Sequence, residues 1–499
     1  MRIKSLYIKK YKILEDFLID FESGTNVNVV IGKNGAGKTT LFEAIIYIFR
    51  EISFASSEKT LWDRYDAIEL QFDIKYNCKN SDIEFRALES KRKGPEIYFK
   101  VDGNKFQLSK ANLSPPKGEE DDFTLRPIFS YLPDHIVTYY SGESKRVTSL
   151  FEKHKSIAYT KLQAGKDIPL RELINIDTTS ISQVLLSLLQ NIETAKEGEI
   201  SQVLLEDEIV YGQIKFKQPW WYATAKKNYE KLAAINSEDA LNQFNPEIYF
   251  AEGEVGQFVD DLTKFSQKEY EGEFIASLNF KAEDIGFMSS EQRLEIETSL
   301  DFFKMLDHTF QADLIEELTL QIHLKESGIT IDLAGLSEGE HQIKLVLGLF
   351  EIFKEKETLF LFDEPDTYLH PEWQTLLMEN FVKITSSQVF LTTHSTIALN
   401  RIGKEGNSQI YILDKGELLQ LPQHIKSFGA SPDAILRAFQ RVEDKLPPNF
   451  KTKLQDAQKL INAGNFKEAR SILTALKGIA GEDNREIVNL ETLIEIKEL

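Results

Sequence analysis

Two groups of short sequence blocks, roughly three hundred residues apart, constrain this chain more than anything else in it. The first is Gly32-Lys33-Asn34-Gly35-Ala36-Gly37-Lys38-Thr39, which reads G-x-x-x-x-G-K-T. It follows the β-branched run Asn26–Ile31 and opens a helical pattern over Thr39–Arg50, with Leu41, Phe42, Ile45, Ile46 and Phe49 apolar. The second group is Leu336-Ser337-Glu338-Gly339-Glu340-His341-Gln342, then the apolar run Thr358–Phe362 ending in Asp363-Glu364, then His394 after the strand-like Val389–Thr393. If these blocks serve one site, the fold must close on itself around a long insertion.

Glycines at 32, 35 and 37 let the backbone curl until several N–H groups point at one anion, and the following helix adds its positive dipole end. In that strand–loop–helix context Lys38 bridges phosphate oxygens and Thr39 offers a hydroxyl to Mg²⁺. A buried strand ending in two acids would let Asp363 hold Mg²⁺ and Glu364 polarise an attacking water as general base. Apolar strands that merely end in acids are common, so this pair gains meaning only beside the first block. Ser337, Gly339 and free helix N–H groups make an anion site. The same serine also reads as an ordinary N-cap for the apolar helix Ile343–Ile352. Asp363 follows Ser337 by 26 residues (363 − 337).

A chain of 499 residues can bury a full core and divides into roughly two or three domains. Its formal charge is −20, opposite to that of a protein dominated by phosphate-backbone contacts. The densest basic cluster, Lys91-Arg92-Lys93, reads as a solvated hairpin turn between Ile83–Leu88 and Glu96–Val101. Cys78 is the single cysteine, which excludes intrachain disulfides and thiolate zinc clusters. No apolar run approaches the roughly 18 residues that span a membrane, and the start lacks a signal-peptide pattern, so the expected compartment is the cytoplasm.

Alternating residues from Ile3 to Phe21 predict an opening strand meander, and Ala67–Tyr76, Ile83–Leu88, Glu96–Val101 and Asp134–Tyr140 predict a β-rich region. Lys110–Asp122 reads as a polar loop. Helical patterns dominate from 143 to 315, clearest in Ile181–Ile192, Trp221–Ile235 and Glu291–Leu306, without sustained heptads. A compact helical lobe is expected there, with Trp220-Trp221-Tyr222 seeding its core; exposed, they would instead be an interface anchor or a base-stacking platform. Leu318–Leu333 returns to strands, and Gln409–Leu413 and Leu418–Leu421 finish the sheet. In the tail, the stripes Leu454, Ala457, Leu460, Ile461 and Ala469, Ile472, Leu473, Leu476 flank Asn462-Ala463-Gly464-Asn465-Phe466, with Arg485–Ile496 as a third helix. That turn resembles one tetratricopeptide-type hairpin, which cannot bury its face alone. The expected divisions are 1–142 (phosphate-binding loop and β subdomain), 143–315 (inserted lobe), 316–425 (core) and 426–499 (connector and tail).

Leu-Ser-x-Gly-x-x-Gln at 336–342 resembles the signature of ABC-type ATPases, and Pro365-Asp366-Thr367-Tyr368-Leu369-His370-Pro371 resembles the D-loop of OLD- and RecF-like members. His394-Ser395 resembles the switch histidine that senses the γ-phosphate. With the first block and the acid pair, these motifs identify the chain as a member of the SMC/RecN/RecF/OLD clade. The resemblance implies an α/β P-loop ATPase head using ATP and Mg²⁺. It implies Lys38, Glu364 and His394 as catalytic, and Thr39 and Asp363 as metal ligands. Gly32, Asn34, Gly35, Gly37, Lys38, Thr39, Thr40, Ser337, Gly339, Gln342 and Asp366 would contact the nucleotide, with the Ser337 segment reaching the γ-phosphate held by a second copy. His370 fits a structural residue of the D-loop better than a metal ligand. A homodimer or higher homo-oligomer sandwiching ATP follows. The pattern also expects a glutamine at the lobe junction, where this chain has Ser141-Gly142-Glu143-Ser144 after Ile136–Tyr140.

Ser427-Phe428-Gly429-Ala430-Ser431-Pro432-Asp433-Ala434-Ile435-Leu436 and the hairpin after it resemble the end of PtuA-type ATPases of Septu and retron anti-phage defence systems. That resemblance implies a separate HNH nuclease partner, PtuB-like, and in retrons a reverse transcriptase with its msDNA. Beyond His394 there is no D-x-D of a TOPRIM nuclease, so no nuclease activity of its own is expected; ATP turnover is expected to be slow. Two alternatives stay open. One is an AriA-like ATPase that sequesters a TOPRIM toxin; the other is a RecF/RecN-like repair ATPase that binds DNA directly.

Overall fold

The computed structural model describes residues 1–54, 71–90, 94–109, 112–114, 126–142, 145–189, 204, 207–234, 251–271, 274–286, 296–383, 387–402, 407–419, 427, 429–430, 434–435 and 448–498. Lys91-Arg92-Lys93, most of Lys110–Asp122 and most of the 424–436 connector lie outside them. The chain divides into two compact units, Met1–Ile435 and Leu436–Leu499.

The first unit opens with strands β1 (Arg2–Tyr11) and β2 (Leu14–Asp20), joined through Lys12 at φ 54°. Strand β3 (Val27–Gly32) is buried and leads into helix α1 (Lys38–Phe54). Strands β4 (Phe72–Cys78), β5 (Ser81–Ser90), β6 (Gly94–Val101), β7 (Asn104–Ser109), β8 (Asn112–Ser114) and β9 (Arg126–Pro127) extend the meander into an eight-stranded antiparallel sheet, ordered β2-β1-β4-β5-β6-β7-β8-β9. Asn112–Ser114 is therefore strand within the stretch read as a loop. Strand β10 (His135–Tyr140) leaves this sheet and joins a second one.

The insertion holds α2 (Lys145–Thr148), α3 (Glu152–Gln163), β11 (Leu173–Ile176), α4 (Ile181–Leu188), β12 (Glu208–Phe216), α5 (Tyr222–Ala233), α6 (Gly253–Lys264), β13 (Gln267–Glu271), β14 (Phe274–Lys281), α7 (Ala282–Gly286) and α8 (Ser299–Gln311). With β15 (Ile315–Leu324) and β16 (Ile329–Asp332), three of its strands form an antiparallel sheet ordered β13-β14-β12-β15-β16. The lobe read as helical is thus mixed. Strand β13 is exposed at every position, so no alternation could announce it; pairing with β14 makes it a strand. Helix α8 starts at 299 and not at 291, because Thr298 caps it in a reciprocal capping box with Asp301. Tyr222 is buried, whereas Trp220 is 72% exposed and donates its indole N–H to Gln163, so it does not seed the core.

The remaining elements are α9 (Glu338–Phe353), β17 (Thr358–Asp363), α10 (Pro371–Lys383), β18 (Gln388–Thr392), α11 (Thr396–Arg401), β19 (Ser408–Asp414) and β20 (Glu417–Leu419). They complete a sheet ordered β11-β10-β17-β18-β3-β19-β20, parallel except for the β19–β20 hairpin. Both faces are covered, as parallel sheets require. Leu359 and Leu361 share a core with α1 residues such as Ile45 and with Leu6 and Phe72 of the antiparallel sheet. Phe360 and Phe362, on the opposite face, pack with Phe350 of α9 and Phe381 of α10. The continuous apolar run of β17 is the consequence.

The second unit contains α12 (Pro448–Asn462), α13 (Phe466–Ala480) and α14 (Arg485–Glu498). Leu454, Ala457, Ile461, Ala469, Leu473 and Leu476 bury together with Ile487 and Ile494, and Leu460 and Ile472 pack against them. Both expected stripes face this small core. Gly464, at φ 80°, supplies the left-handed turn between α12 and α13.

Candidate nucleotide site

Three parallel neighbours, β17, β18 and β3, end side by side, which brings the distant sequence blocks together. From β3 the chain turns through Gly35 (φ 79°) and Gly37 (φ 108°), left-handed conformations that disfavour a Cβ. A Cβ at Gly32 would lie 2.3 Å from the Leu413 carbonyl oxygen of β19, so that glycine permits close strand packing. The loop is braced from outside by the Gly416 N–H, which donates to the Ala36 carbonyl at 2.9 Å. Asn34 and Gly35 are exposed at the loop tip, and Thr40 is buried in α1.

Lys38 is buried, and its ammonium donates to the Gly32 carbonyl at 3.0 Å and meets His394 Nε2 at 2.9 Å. An ammonium can only donate, so this contact requires Nε2 to accept and places the proton of a neutral His394 on Nδ1. Burial lowers the Lys38 pKa against the raising effect of Glu364 and Asp363. Burial, then the Lys38 charge, lowers that of His394, opposed by the same two acids. Burial disfavours the charged form of both groups, and the two acids favour it.

Asp363 ends β17. Its Oδ2 accepts from Thr39 Oγ1 at 2.6 Å and its Oδ1 from Thr392 Oγ1 at 2.5 Å. Burial raises its pKa, and the two hydroxyls work against that rise. Glu364 adopts φ 54°, a left-handed conformation that turns the chain sharply out of the strand. Its N–H donates to Thr392 Oγ1 at 2.9 Å, its Oε2 accepts from Thr367 Oγ1 at 3.3 Å, and its Oε1 lies 3.5 Å from His394 Nε2. Lys38, Thr39, Asp363, Glu364 and His394 therefore form one linked cluster. At the lobe junction Tyr140 pairs in register with Asp363, and the Ser141 N–H donates to the Asp363 carbonyl at 3.3 Å.

Ser337 is the N-cap of α9. Its Oγ accepts from the Glu340 N–H at 3.3 Å, and the Glu340 carboxylate accepts from the Ser337 N–H at 2.7 Å. Within one chain it thus acts as a cap, yet it stays exposed. Gly339 lets the helix end approach the next loop, since a Cβ there would sit 2.9 Å from the Tyr368 carbonyl oxygen. Gln342 and Asp366, read as nucleotide contacts, are both buried. Gln342 donates to the Glu364 carbonyl and accepts from the Tyr368 N–H, each at 3.3 Å. Asp366 accepts from Thr393 Oγ1 at 2.5 Å, and burial pushes its carboxyl up to about 6. Within one chain both brace the loop that follows Glu364. His370 is exposed, and its Nδ1 accepts from the Glu372 N–H at 3.5 Å at the start of α10.

The sequence pattern of the AAA ATPase domain matches residues 1–398. The chain belongs to that family. This AAA ATPase is 22% identical over 522 residues to the Retron Ec83 probable ATPase of Escherichia coli, covering 99% of this chain and 87% of that one. It is 21% identical to the Retron Vc95 probable ATPase of Vibrio cholerae serotype O1 biovar El Tor, covering 83% and 74%. The DNA replication and repair protein RecF of Carboxydothermus hydrogenoformans is 27% identical over 186 residues, 36% of this chain and 48% of that protein. Among solved structures, the SMC head domain from Thermotoga maritima aligns with a TM-score of 0.32 at 13% identity, covering 85% of this chain and all of that one.

Sequence reasoning about this AAA ATPase passed over Thr392, Thr393 and Gln374, whose hydroxyls and amide hold the acids and the histidine turn in place. The Thr-Thr pair directly before His394 was a legible signal. Gln374, inside an ordinary amphipathic helix, carried none. Among the described residues no helix is long and apolar enough to cross a membrane, and no cluster of three or more His, Cys, Asp or Glu could hold a metal.

Proposed function

We propose that this AAA ATPase is the ATP-hydrolysing regulatory subunit of an anti-phage defence complex, that it dimerises around ATP, and that it controls a separate HNH nuclease of the PtuB-like kind. The phosphates lie on the 32–39 loop against Lys38. Thr39 Oγ1 and Asp363 Oδ2, 2.6 Å apart, are the hard oxygen donors Mg²⁺ takes, and they would hold the ion. When bound, Mg²⁺ supplies charge neutralisation at the phosphoryl oxygens. Glu364, oriented by Thr392 and Thr367, takes the proton of the attacking water, and His394, between Lys38 and Glu364, reports the γ-phosphate. Ser337 and Gly339 of one copy complete the phosphate site of another. Turnover is slow, and the chain cuts no DNA by itself.

What carries the reading is the Lys38–Asp363–Glu364–His394 cluster in a chain matched over 99% of its length by a retron ATPase, against 36% for RecF. The −20 charge fits a partner that supplies most DNA contacts. The test is co-purification with the product of the neighbouring gene, with ATP, with ADP and without nucleotide, in wild type, Lys38→Ala and Glu364→Gln. Nucleotide-dependent association or nuclease output is expected, altered in both variants. Association indifferent to nucleotide, with unchanged nuclease output in both, refutes the proposal. A TOPRIM partner would favour the AriA-like alternative; salt-dependent DNA binding by the chain alone, with stimulated ATPase, would favour the RecF/RecN-like one.

A further inference from the structure

His394 lies in a short turn between β18 and α11, and the residues on both sides of it are tied down. Thr393 Oγ1 donates to the buried Asp366 carboxylate and accepts from the Ser395 N–H at 2.9 Å. Ser395 Oγ accepts from the Ile397 and Ala398 N–H groups, each at 3.1 Å, and donates to Gln374 Oε1 at 2.6 Å. A hydroxyl has one proton and two lone pairs, so all three are engaged and Gln374 takes the proton. The other end of that amide, Nε2, donates to the Asp366 carbonyl at 3.2 Å and the Leu369 carbonyl at 3.0 Å. The orientation is forced. A flipped amide would set its oxygen against two carbonyls and its NH₂ against a hydroxyl whose lone pairs are already filled.

One side chain therefore joins the loop that follows Glu364 to the turn that carries His394. The task needs an acceptor and two donors at the reach of a glutamine. Glutamate lacks the donors, lysine lacks the acceptor, and asparagine is one methylene short. On its other flank the same loop is gripped by Gln342 from the Ser337 helix. We propose that Gln374 is a positioning residue for ATP hydrolysis, fixing His394 against Lys38 and Glu364 by locking its turn to the Asp366–Leu369 loop. The inference rests on the reading of His394 as the γ-phosphate sensor given above. Gln374 itself touches neither nucleotide nor the reacting atoms.

The experiment is a double-mutant cycle on ATPase kinetics of the full chain, with Gln374→Met, which keeps length and removes the amide, and His394→Ala. Gln374→Met lowers kcat about tenfold, the rate equivalent of losing roughly one hydrogen bond, with KM for ATP changed less than about twofold. Gln374→Glu, which keeps only the acceptor, shows the same loss. In the His394→Ala background Gln374→Met has no further effect. A wild-type kcat in Gln374→Met, a rise in KM alone, or an equal kcat loss in both backgrounds overturns the inference while leaving the role of His394 standing. A wild-type kcat in His394→Ala overturns that role and the inference with it.

Discussion

His308 should make this AAA ATPase sensitive to mild acid. The residue lies in α8, fully buried, and neither ring nitrogen finds a hydrogen-bond partner among the described residues. Burial lowers its pKa from 6.5 to about 4; Asp307 and Glu254 pull it up, and Lys304 and Arg171 push it down. The folded chain thus holds a neutral imidazole where the unfolded chain takes a proton. A depressed folded-state pKa contributes stability that is fully present above pH 6.5 and is lost as the pH falls toward 4. Over the whole window this amounts to about 3 kcal/mol, and between pH 7 and pH 5 to about 2 kcal/mol. The perturbation is His308→Leu, similar in volume and without ring nitrogens to leave unsatisfied. Urea unfolding followed by tryptophan fluorescence reads the first unit alone, because all 4 tryptophans precede residue 436. Wild type should lose about 2 kcal/mol more than the variant between pH 7 and pH 5. The comparison separates His308 from His135, which burial pushes in the same direction. Parallel losses in the two proteins would refute the reasoning.

Three further outcomes follow from contacts elsewhere. Arg171→Met strands the buried Asp307, which now accepts from the guanidinium at 2.7 and 3.1 Å, and should cost about 3–5 kcal/mol in urea unfolding. Adding Asp307→Leu should recover most of that loss, because the pair is then replaced by apolar groups. Gly348→Ala adds a Cβ 2.6 Å from Val184 Cγ1, where α9 meets α4. The clash should outweigh a helix-propensity gain of about 1 kcal/mol and lower the melting temperature, and Val184→Ala should restore it. Gly416→Ala, at φ 84° with its Cβ 2.1 Å from the Ile13 carbonyl oxygen, should displace the turn that braces the phosphate-binding loop. Calorimetry should show ATP affinity falling about tenfold, whereas Gly464→Ala, in open space, should cost only about 1 kcal/mol and leave affinity unchanged.

How much was legible before folding differs from element to element. Gly35 and Gly37 announced a curled loop, and Ser337 announced a helix start. Thr358–Phe362 read as a fully buried strand, and the tail stripes read as two packed helices. In each case the signal is local: a backbone conformation or capping bond that involves near neighbours, or a repeating apolar face. The mixed lobe was not legible, because the exposed strand Gln267–Glu271 has no period of its own and exists through its partner. The buried intrachain partners of Gln342 and Asp366 were not legible for a related reason. An amide or carboxylate looks the same in sequence whether it faces a phosphate or a buried carbonyl, and only packing distinguishes the two. By itself, then, the sequence determined that a phosphate-binding loop, an acid pair and a histidine turn exist and in what order. The tertiary structure alone decided that β3 lies beside β18 and β18 beside β17, and that Gln374 ties the loop after Glu364 to the turn of His394. Strand neighbours and buried hydrogen-bond partners belong to separate segments, close in sequence for Gln374 and hundreds of residues apart for β3 and β18, which meet only once the sheet has closed.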